Sequence, residues 1–108
     1  MVDLGTGLAQ MKACIASTRE PFTFGFWVYE SFDTIGADGI MPMPKSFEEC
    51  LGGHAVTAVA YDDYKKMFKI RNSWGTGWGD HGYFYMPYDF ITSDECSDFW
   101  RVTSGEQI

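Results

Sequence analysis

The sequence has few basic residues and no long apolar run, and each shortage excludes a class of function. Eight Lys and Arg residues face fifteen Asp and Glu residues, which gives a formal net charge of −7. A nucleic-acid binder and a protein bound to an anionic membrane both need a basic face, so this balance argues against either partner. No apolar run approaches the length of a membrane span. We therefore expect a chain that binds neither nucleic acid nor membrane, with an acidity that serves solubility.

The N-terminus lacks the features of a secretory leader. Residues 1–5 (MVDLG) contain no basic segment and no long apolar segment, so they do not predict a signal peptide. A signal further upstream remains compatible with the sequence if the chain is a piece of a longer protein. The sequence is therefore compatible with a cytoplasmic protein and with a protein secreted from a longer precursor.

Metal and cofactor motifs are also absent. The three cysteines, Cys14, Cys50 and Cys96, have no C-x-x-C spacing, and His54 and His81 are isolated from each other. No G-x-G-x-x-G fingerprint precedes a helix, which excludes the common dinucleotide motif. We predict no cofactor and no metal, and the odd number of cysteines leaves at least one free thiol in a monomer.

Aromatic residues are plentiful instead, with nine Phe, six Tyr and four Trp that need a sheet or a partner surface to bury them. We predict a single domain over residues 1–108 of the α+β class, with one N-terminal helix and a small, mostly antiparallel sheet. The helix is predicted over Thr6–Thr18, because Leu8, Met11 and Ile15 fall on one face.

Alternating and apolar segments predict five strands, bounded by turn residues. They are Phe22–Tyr29, His54–Tyr61, Met67–Asn72, Tyr83–Met86 and Phe99–Thr103. The first strand is largely apolar on both faces, so we expect both of its faces to be covered. Residues 33–53 form a long connection rich in glycine and proline, and loops of this length are more often functional than not.

Two polar residues stand at the open end of a predicted hairpin. His54 opens one strand and Asn72 closes the next, 18 positions later, so a turn near Asp63 makes them neighbours. An Asn amide oxygen can fix an imidazole through one ring nitrogen and leave the other as a general base. The hairpin alone favours an ordinary core histidine. Trp74 and Trp78 on the next loop would exclude water from the pair, which favours the catalytic interpretation.

These residues also form a recognisable set of motifs. Gly-His-Ala-Val at 53–56, Ile-Arg-Asn-Ser-Trp-Gly at 70–75 and Gly-Trp-Gly at 77–79 resemble the papain-like cysteine peptidases. The resemblance extends over nearly the whole chain, whose helix, first strand and C-terminal segment have counterparts in microbial members. In that family a helical N-terminal lobe supplies the nucleophilic cysteine, and a β-rich C-terminal lobe supplies the histidine and asparagine. The resemblance implies the C-terminal lobe, a small antiparallel sheet or half-barrel, in an enzyme that hydrolyses peptide bonds.

The resemblance also assigns roles to individual residues. His54 would be the base, Asn72 would orient it, and Trp74 would shield their hydrogen bond. Trp78 would line the leaving-group side of the cleft. The wall that receives the substrate residue before the scissile bond would include Gly25, Gly52, Gly53 and Ala55. His81, in contrast, is interpreted as a solvated loop residue.

The cysteine half of such a site is missing from these residues. No Gln-x-x-x-Gly-x-Cys motif occurs, and only 53 residues precede His54. Cys14 is expected in mid-helix, away from any helix N-terminus. Cys50 and Cys96 each follow two acidic residues, whose charge opposes thiolate formation. The resemblance to secreted family members suggests another use for these two, a Cys50–Cys96 disulfide.

Three functions remain open at this stage. The chain is half of a cysteine peptidase, inactive without a cysteine-bearing lobe from the same precursor or from a second chain. Alternatively, it is a non-catalytic lobe that binds peptides, or a remnant that self-associates. A lone lobe would expose the face that normally packs on its partner, so we expect a homo-oligomer when no partner lobe is present. The peptidase interpretation predicts a peptide or protein substrate.

Overall fold

The secondary structure combines one principal helix with one sheet. The computed structural model describes residues 2–3 and 7–101, with side chains for 7–17 and 19–101. Helix α1 (Leu8–Thr18) precedes most of the sheet, a 3₁₀ helix (Glu30–Thr34) follows β2, and a short helix α2 (Tyr88–Ile91) follows β5. The strands are β1 (Val2–Asp3), β2 (Phe22–Tyr29), β3 (Cys50–Asp62), β4 (Met67–Arg71), β5 (Tyr83–Pro87) and β6 (Cys96–Arg101).

All six strands of the described residues pair antiparallel, in the order β1-β6-β2-β3-β4-β5. Strand β2 is central, with β3 on one side and β6 on the other. The β3–β4 hairpin turns at residues 63–66, where Lys66 adopts a left-handed conformation. The predicted α+β class, with a helix before a mostly antiparallel sheet, is therefore confirmed.

The core lies on one face of this sheet and is built mainly of phenylalanine. Phe22, Phe24 and Phe26 alternate along β2 and are at most 3% exposed. Phe22 and Phe24 both contact Phe99 of β6, with ring centroids 6.2 and 5.3 Å apart. Met11 of α1 is fully buried in the same cluster. The aromatic content therefore serves a sheet core, and burial of each such ring stabilises the fold by about 1.5–3 kcal/mol.

The other face of β2 is only partly covered, so the prediction that both faces are covered is wrong. Trp27 alternates with the buried phenylalanines and is 54% exposed. Its indole lies over Gly53 of the neighbouring strand, where a Cβ would approach it to 3.5 Å. The apolar character of Trp27 therefore does not reflect burial within the described residues.

Several strands begin at residues other than those predicted. Strand β3 begins at Cys50, four residues before the predicted start at His54, because Gly52 and Gly53 pair with β2 although they break the apolar pattern. Strand β6 begins at Cys96, ahead of the predicted Phe99. The predicted helix start at Thr6 and strand end at Thr103 lie outside the described residues. Among the described helices, none is long and apolar enough to cross a membrane.

One carboxylate in the long connection predicted over residues 33–53 ties that connection to the 3₁₀ helix. Glu48 Oε1 accepts from the Ser31 backbone N–H at 2.6 Å, and Glu48 Oε2 accepts from the Lys45 N–H at 2.8 Å. These backbone donors, that of Lys45 first, hold the pKa of Glu48 below its ordinary value. The carboxylate thereby links the connection to the 3₁₀ helix, which carries the buried ring of Phe32.

Candidate active site

His54 and Asn72 come together where β3 and β4 leave their common ladder. The last pair of that ladder is Thr57 with Arg71, and β3 continues to His54 while Asn72 follows Arg71 directly. The Asn72 N–H donates to the Gly82 carbonyl at 3.1 Å, which turns the chain away from β3. His54 Nε2 lies 2.8 Å from Asn72 Oδ1, so the predicted neighbours are in hydrogen-bond contact.

The Asn72 amide oxygen decides which imidazole nitrogen carries the proton. Asn72 is 7% exposed, and its Oδ1 also accepts from the Ser73 backbone N–H at 2.8 Å. That second donor identifies the atom as oxygen, because the amide nitrogen cannot accept a hydrogen bond. In the neutral ring, His54 Nε2–H therefore donates to Asn72 Oδ1, and Nδ1 carries the lone pair.

Aromatic rings enclose the imidazole on two sides. The Trp74 indole stacks on the His54 ring with centroids 5.3 Å apart and an interplanar angle of 28°. Phe26 contacts the same ring edge-on at 5.9 Å. Low-dielectric surroundings strengthen a hydrogen bond, so both rings support the His54–Asn72 contact. Trp74 itself is 48% exposed, which leaves its outer face available to a further element.

Trp78 packs behind Trp74. Their ring centroids are 5.1 Å apart at 81°, and Trp78 also stacks on the buried Phe32 at 5.6 Å. The loop that carries both tryptophans closes where the Gly82 N–H donates to the Trp78 carbonyl at 2.8 Å. Gly79 has a φ of +59°, and a Cβ there would lie 2.6 Å from the Tyr83 carbonyl oxygen. The contacts of Trp78 are those of a support for Trp74, and its predicted place beside the leaving group stays a prediction.

The tautomer of His54 can be tested in the isolated chain. Replacing Asn72 by Ala removes the acceptor, so we expect His54 to change from the Nε2–H tautomer to a mixture of both neutral forms. Long-range ¹H–¹⁵N NMR spectra distinguish the two nitrogens directly. His81, which is exposed and hydrogen-bonds to Asp80 at 2.9 Å through Nδ1, provides the control and should not change. An unchanged His54 spectrum would show that Asn72 does not set the tautomer.

A cavity of about 390 Å³ lies beside His54 on the open side of the sheet. We call it the His54 cavity, and its lining residues are Gly25, Phe26, Trp27, Gly53, His54, Ala55, Glu95, Ser97 and Asp98. Three of the four predicted substrate-wall residues line it, namely Gly25, Gly53 and Ala55. Gly52 does not, because it pairs with Val28 further along β3.

Five of these lining residues were missed from the sequence: Phe26, Trp27, Glu95, Ser97 and Asp98. Trp27 carried a usable signal, since it alternates with three phenylalanines that face the core. Glu95 and Ser97 carried none, because only the pairing of β6 with β2 brings them next to Gly25. The Glu95 carbonyl accepts from the Trp27 N–H at 3.0 Å, which extends that pairing.

The three cysteines are held away from His54. Cys14 Sγ donates to the Glu20 carbonyl at 3.4 Å. Cys50 lies four positions before His54 on an extended strand, or ~13 Å along it. Cys96 and His54 both pair with Phe26, from opposite sides of β2, so that strand separates them. Burial raises the pKa of the Cys96 thiol from 9.0 to about 12, with a further contribution from the charge of Glu95.

The predicted Cys50–Cys96 disulfide is wrong for this structure, in which neither Cys50 nor Cys96 is in a disulfide. Strand β2 lies between Cys50 on β3 and Cys96 on β6, at Tyr29 and Phe26 respectively. Two strand spacings amount to ~10 Å, whereas a disulfide requires Cα atoms within ~7 Å.

This arrangement predicts one reactive thiol. Cys50 is exposed, while Cys14 and Cys96 are buried, so Cys50 should react with a thiol reagent on the order of a hundredfold faster than the other two. Mass spectrometry after brief alkylation of the native chain should find one modification, at Cys50. Alkylation in denaturant without reductant should find three. A single modification under that second condition would restore the Cys50–Cys96 bridge.

Comparisons with family models and with individual proteins agree on one family. The family described as papain family cysteine protease matches residues 6–98. An uncharacterized peptidase C1-like protein of Acanthamoeba polyphaga mimivirus is 48% identical over 85 residues, 76% of this chain and 27% of that protein. A cathepsin B-like protein of Giardia intestinalis is 40% identical over 81 residues, 72% of this chain and 25% of that protein.

A solved structure extends the comparison to the fold. The crystal structure of xylellain, a cysteine protease from Xylella fastidiosa, superimposes with a TM-score of 0.85 and 39% sequence identity. The match covers 94% of this chain and 38% of that one. The chain therefore spans between a quarter and two fifths of the length of these three relatives.

Proposed function

This chain belongs to the papain family of cysteine proteases, and we propose that it is the lobe that supplies histidine and asparagine to a Cys–His–Asn peptidase. The nucleophilic cysteine would come from a separate lobe, in the same precursor or in a second chain. One observation carries this proposal: the Nε2 of His54 is held by Asn72 Oδ1 at 2.8 Å, under the stacked Trp74 indole.

The proposed reaction uses the free nitrogen of His54. Nδ1 takes the proton of the incoming thiol, and the resulting thiolate attacks the peptide carbonyl carbon. The C–N bond breaks as the His54 imidazolium returns its proton to the leaving amine, which gives an acyl-thioester. Water then attacks the thioester, Nδ1 accepts the water proton, and the C–S bond breaks to release a carboxylic acid. The thiolate regains its proton from His54, and every step keeps Nε2–H on Asn72.

Exposed apolar residues support the proposed partner. Trp27, Leu51, Trp74 and Trp100 are 54, 52, 48 and 41% exposed. Trp27 and Trp74 also lie beside the His54 cavity and the His54 ring, where a cysteine-bearing lobe would have to approach. Exposed apolar groups next to a candidate site are typical of an interaction surface. Without that lobe, the same surface would favour association of two copies, which light scattering would detect as a mass above 12.2 kDa.

A chimera provides the test. The segment of the Xylella fastidiosa enzyme that this chain matches would be replaced by residues 1–108, so that the cysteine-bearing remainder is retained. We expect the chimera to hydrolyse casein and to lose that activity on alkylation with iodoacetamide, while the 108-residue chain alone cleaves nothing. A chimera that unfolds cooperatively but stays inactive would favour the non-catalytic, peptide-binding alternative. Thiol-dependent cleavage by the isolated chain would contradict the proposal directly.

A further inference from the structure

The 3₁₀ helix Glu30–Thr34 takes its cap from a distant segment. Tyr29, at its N-terminal end, provides no side-chain cap. The Ser31 backbone N–H instead donates to Glu48 Oε1 at 2.6 Å, across 17 positions of the chain. Backbone N–H groups in the first turn of a helix have no partner within it, and a side-chain oxygen that accepts from one of them stabilises the helix. Glu48 therefore does for this helix what an adjacent Ser or Asp usually does.

A second carboxylate makes the same kind of contact in the opposite direction. Glu30 Oε1 accepts from the Glu49 backbone N–H at 2.7 Å. The two contacts, Ser31 to Glu48 and Glu49 to Glu30, join residues 30–31 to residues 48–49, and we call them the carboxylate clasp. Each is a charge-assisted hydrogen bond, which is stronger than one between neutral groups. The clasp therefore holds the start of the 3₁₀ helix against the residues that lead into β3.

The middle of the connection has an anchor of its own on the edge of β5. Ile40 forms a β-bridge with Tyr85, and the Met41 N–H donates to the Tyr85 carbonyl at 3.0 Å. The Tyr85 N–H donates in turn to the Gly39 carbonyl at 2.8 Å, and Met41 is 3% exposed. These contacts do not involve the clasp, so loss of the clasp should displace the 3₁₀ helix without unfolding the connection.

Phe32 carries the position of this helix to His54. It follows Ser31 directly, and its ring contacts both Phe26 and Trp74, each with centroids 5.6 Å apart. These are the two rings that enclose the His54 imidazole, at 5.9 and 5.3 Å respectively. A displacement of the 3₁₀ helix would therefore reach the imidazole from two sides through a single buried ring.

We propose that Glu48 is a positioning residue for His54, which it holds in place through the 3₁₀ helix, Phe32 and the two enclosing rings. Glu48 is not among the residues that line the His54 cavity, so this series of contacts is its route to the imidazole. The catalytic consequence rests on the proposed function, in which His54 is the base.

NMR of the isolated 108-residue chain tests the positioning step. The stacked Trp74 indole shifts the carbon-bound ring protons of His54 upfield, so their signals report the stacking directly. In Glu48→Ala we expect these signals to move downfield, toward those of an unstacked histidine. Glu48→Gln keeps a side-chain oxygen that can accept from one of the two backbone donors, Ser31 or Lys45, so its signals should lie between those of the unmodified chain and Glu48→Ala.

Glu49→Ala is the matched control. Glu49 is the next residue, is exposed, and contributes to the clasp its backbone N–H, which the substitution keeps. The variant loses the same charge as Glu48→Ala, so the His54 signals should be unchanged. Unchanged His54 signals in folded Glu48→Ala, or equal movement in the two variants, would overturn the proposal. If Glu48→Ala does not fold, Glu48→Gln decides, and His54 signals equal to those of Glu49→Ala would overturn the proposal as well.

In the chimera, the same variants separate positioning from the peptidase function. Misplacing a reacting group by about 1 Å can cost ~100-fold in rate, so a partial displacement in Glu48→Ala should lower kcat roughly tenfold, with KM within about twofold. Glu48→Gln should recover part of that loss. An active chimera in which Glu48→Ala keeps its kcat would overturn the proposal and leave the role of His54 intact. A chimera inactive in every form would contradict the proposed function, while the His54 signals of the isolated chain would still decide the positioning role of Glu48.

Discussion

Replacing His54 by Ala in the chimera is expected to lower kcat/KM by ~100- to 10,000-fold, the range over which positioned general bases act. The substitution removes the acceptor of the thiol proton and the donor to the leaving amine together. It also leaves Asn72 Oδ1 with one remaining donor, the Ser73 N–H at 2.8 Å, so the asparagine need not move. Initial rates at several substrate concentrations would separate this loss of kcat from a change of KM.

The other histidine of the chain provides a matched control. His81 lies on the glycine-rich loop that carries Trp74 and Trp78, and it has an aspartate partner, but its side chain is 90% exposed. His81→Ala should change kcat/KM by less than about twofold, since exposed ion pairs contribute little. If His54→Ala kept activity within about tenfold of the unmodified chimera, His54 would not be the base. An equal loss in both variants would instead indicate damage to the fold.

Replacing Asn72 should lower kcat/KM less than replacing His54 does, because Asn72 acts through the imidazole. Asn72→Ala leaves the imidazole in place, but frees it to rotate and to exchange tautomers. We expect Asn72→Ala to keep an activity between those of the unmodified chimera and His54→Ala, which would separate orientation of the ring from proton transfer. The NMR spectrum of His54 would independently show the loss of the fixed tautomer.

The hairpin was predictable from the sequence because its determinants are local. The strand patterns on either side of the polar turn predict the hairpin, and its ladder ends at the Thr57–Arg71 pair, which leaves His54 and Asn72 at the same end. The resemblance to a known family implied a role for each of the two residues. The contact itself follows from two strands and one turn, all within 72 − 54 = 18 positions.

Contacts between distant segments were not predictable in the same way. Glu95 lines the cavity only because β6 crosses back to pair with β2, about seventy positions earlier in the chain. The wrong disulfide has the same origin, since the sequence did not reveal that β2 separates Cys50 from Cys96. The exposure of Trp27 was missed because a large apolar residue in a strand normally implies burial, whereas here it lies on the open face next to the candidate site.

Phe32 shows how the core and the candidate site depend on each other. No pattern in the sequence predicts an element at Phe32, which belongs to the 3₁₀ helix Glu30–Thr34 and is 2% exposed. Its ring contacts Trp74 and Trp78 of the site, each at 5.6 Å, and Phe84 of β5 at 5.1 Å. Phe32 therefore supports, from the core side, the Trp74 indole that stacks on His54.

Phe32→Ala is expected to lower the free energy of unfolding by about 3–5 kcal/mol, because it removes a buried ring and leaves a cavity. Urea denaturation of the 108-residue chain, followed by tryptophan fluorescence, would measure the change. Phe47→Ala is the matched control: Phe47 is 79% exposed, so the same substitution there should cost less than about 0.5 kcal/mol. Equal losses for the two variants would show that Phe32 is not a core residue. In Phe32→Leu, which refills most of the volume, the Trp74 indole should return to His54, and the His54 NMR signals should resemble those of the unmodified chain more closely than in Phe32→Ala.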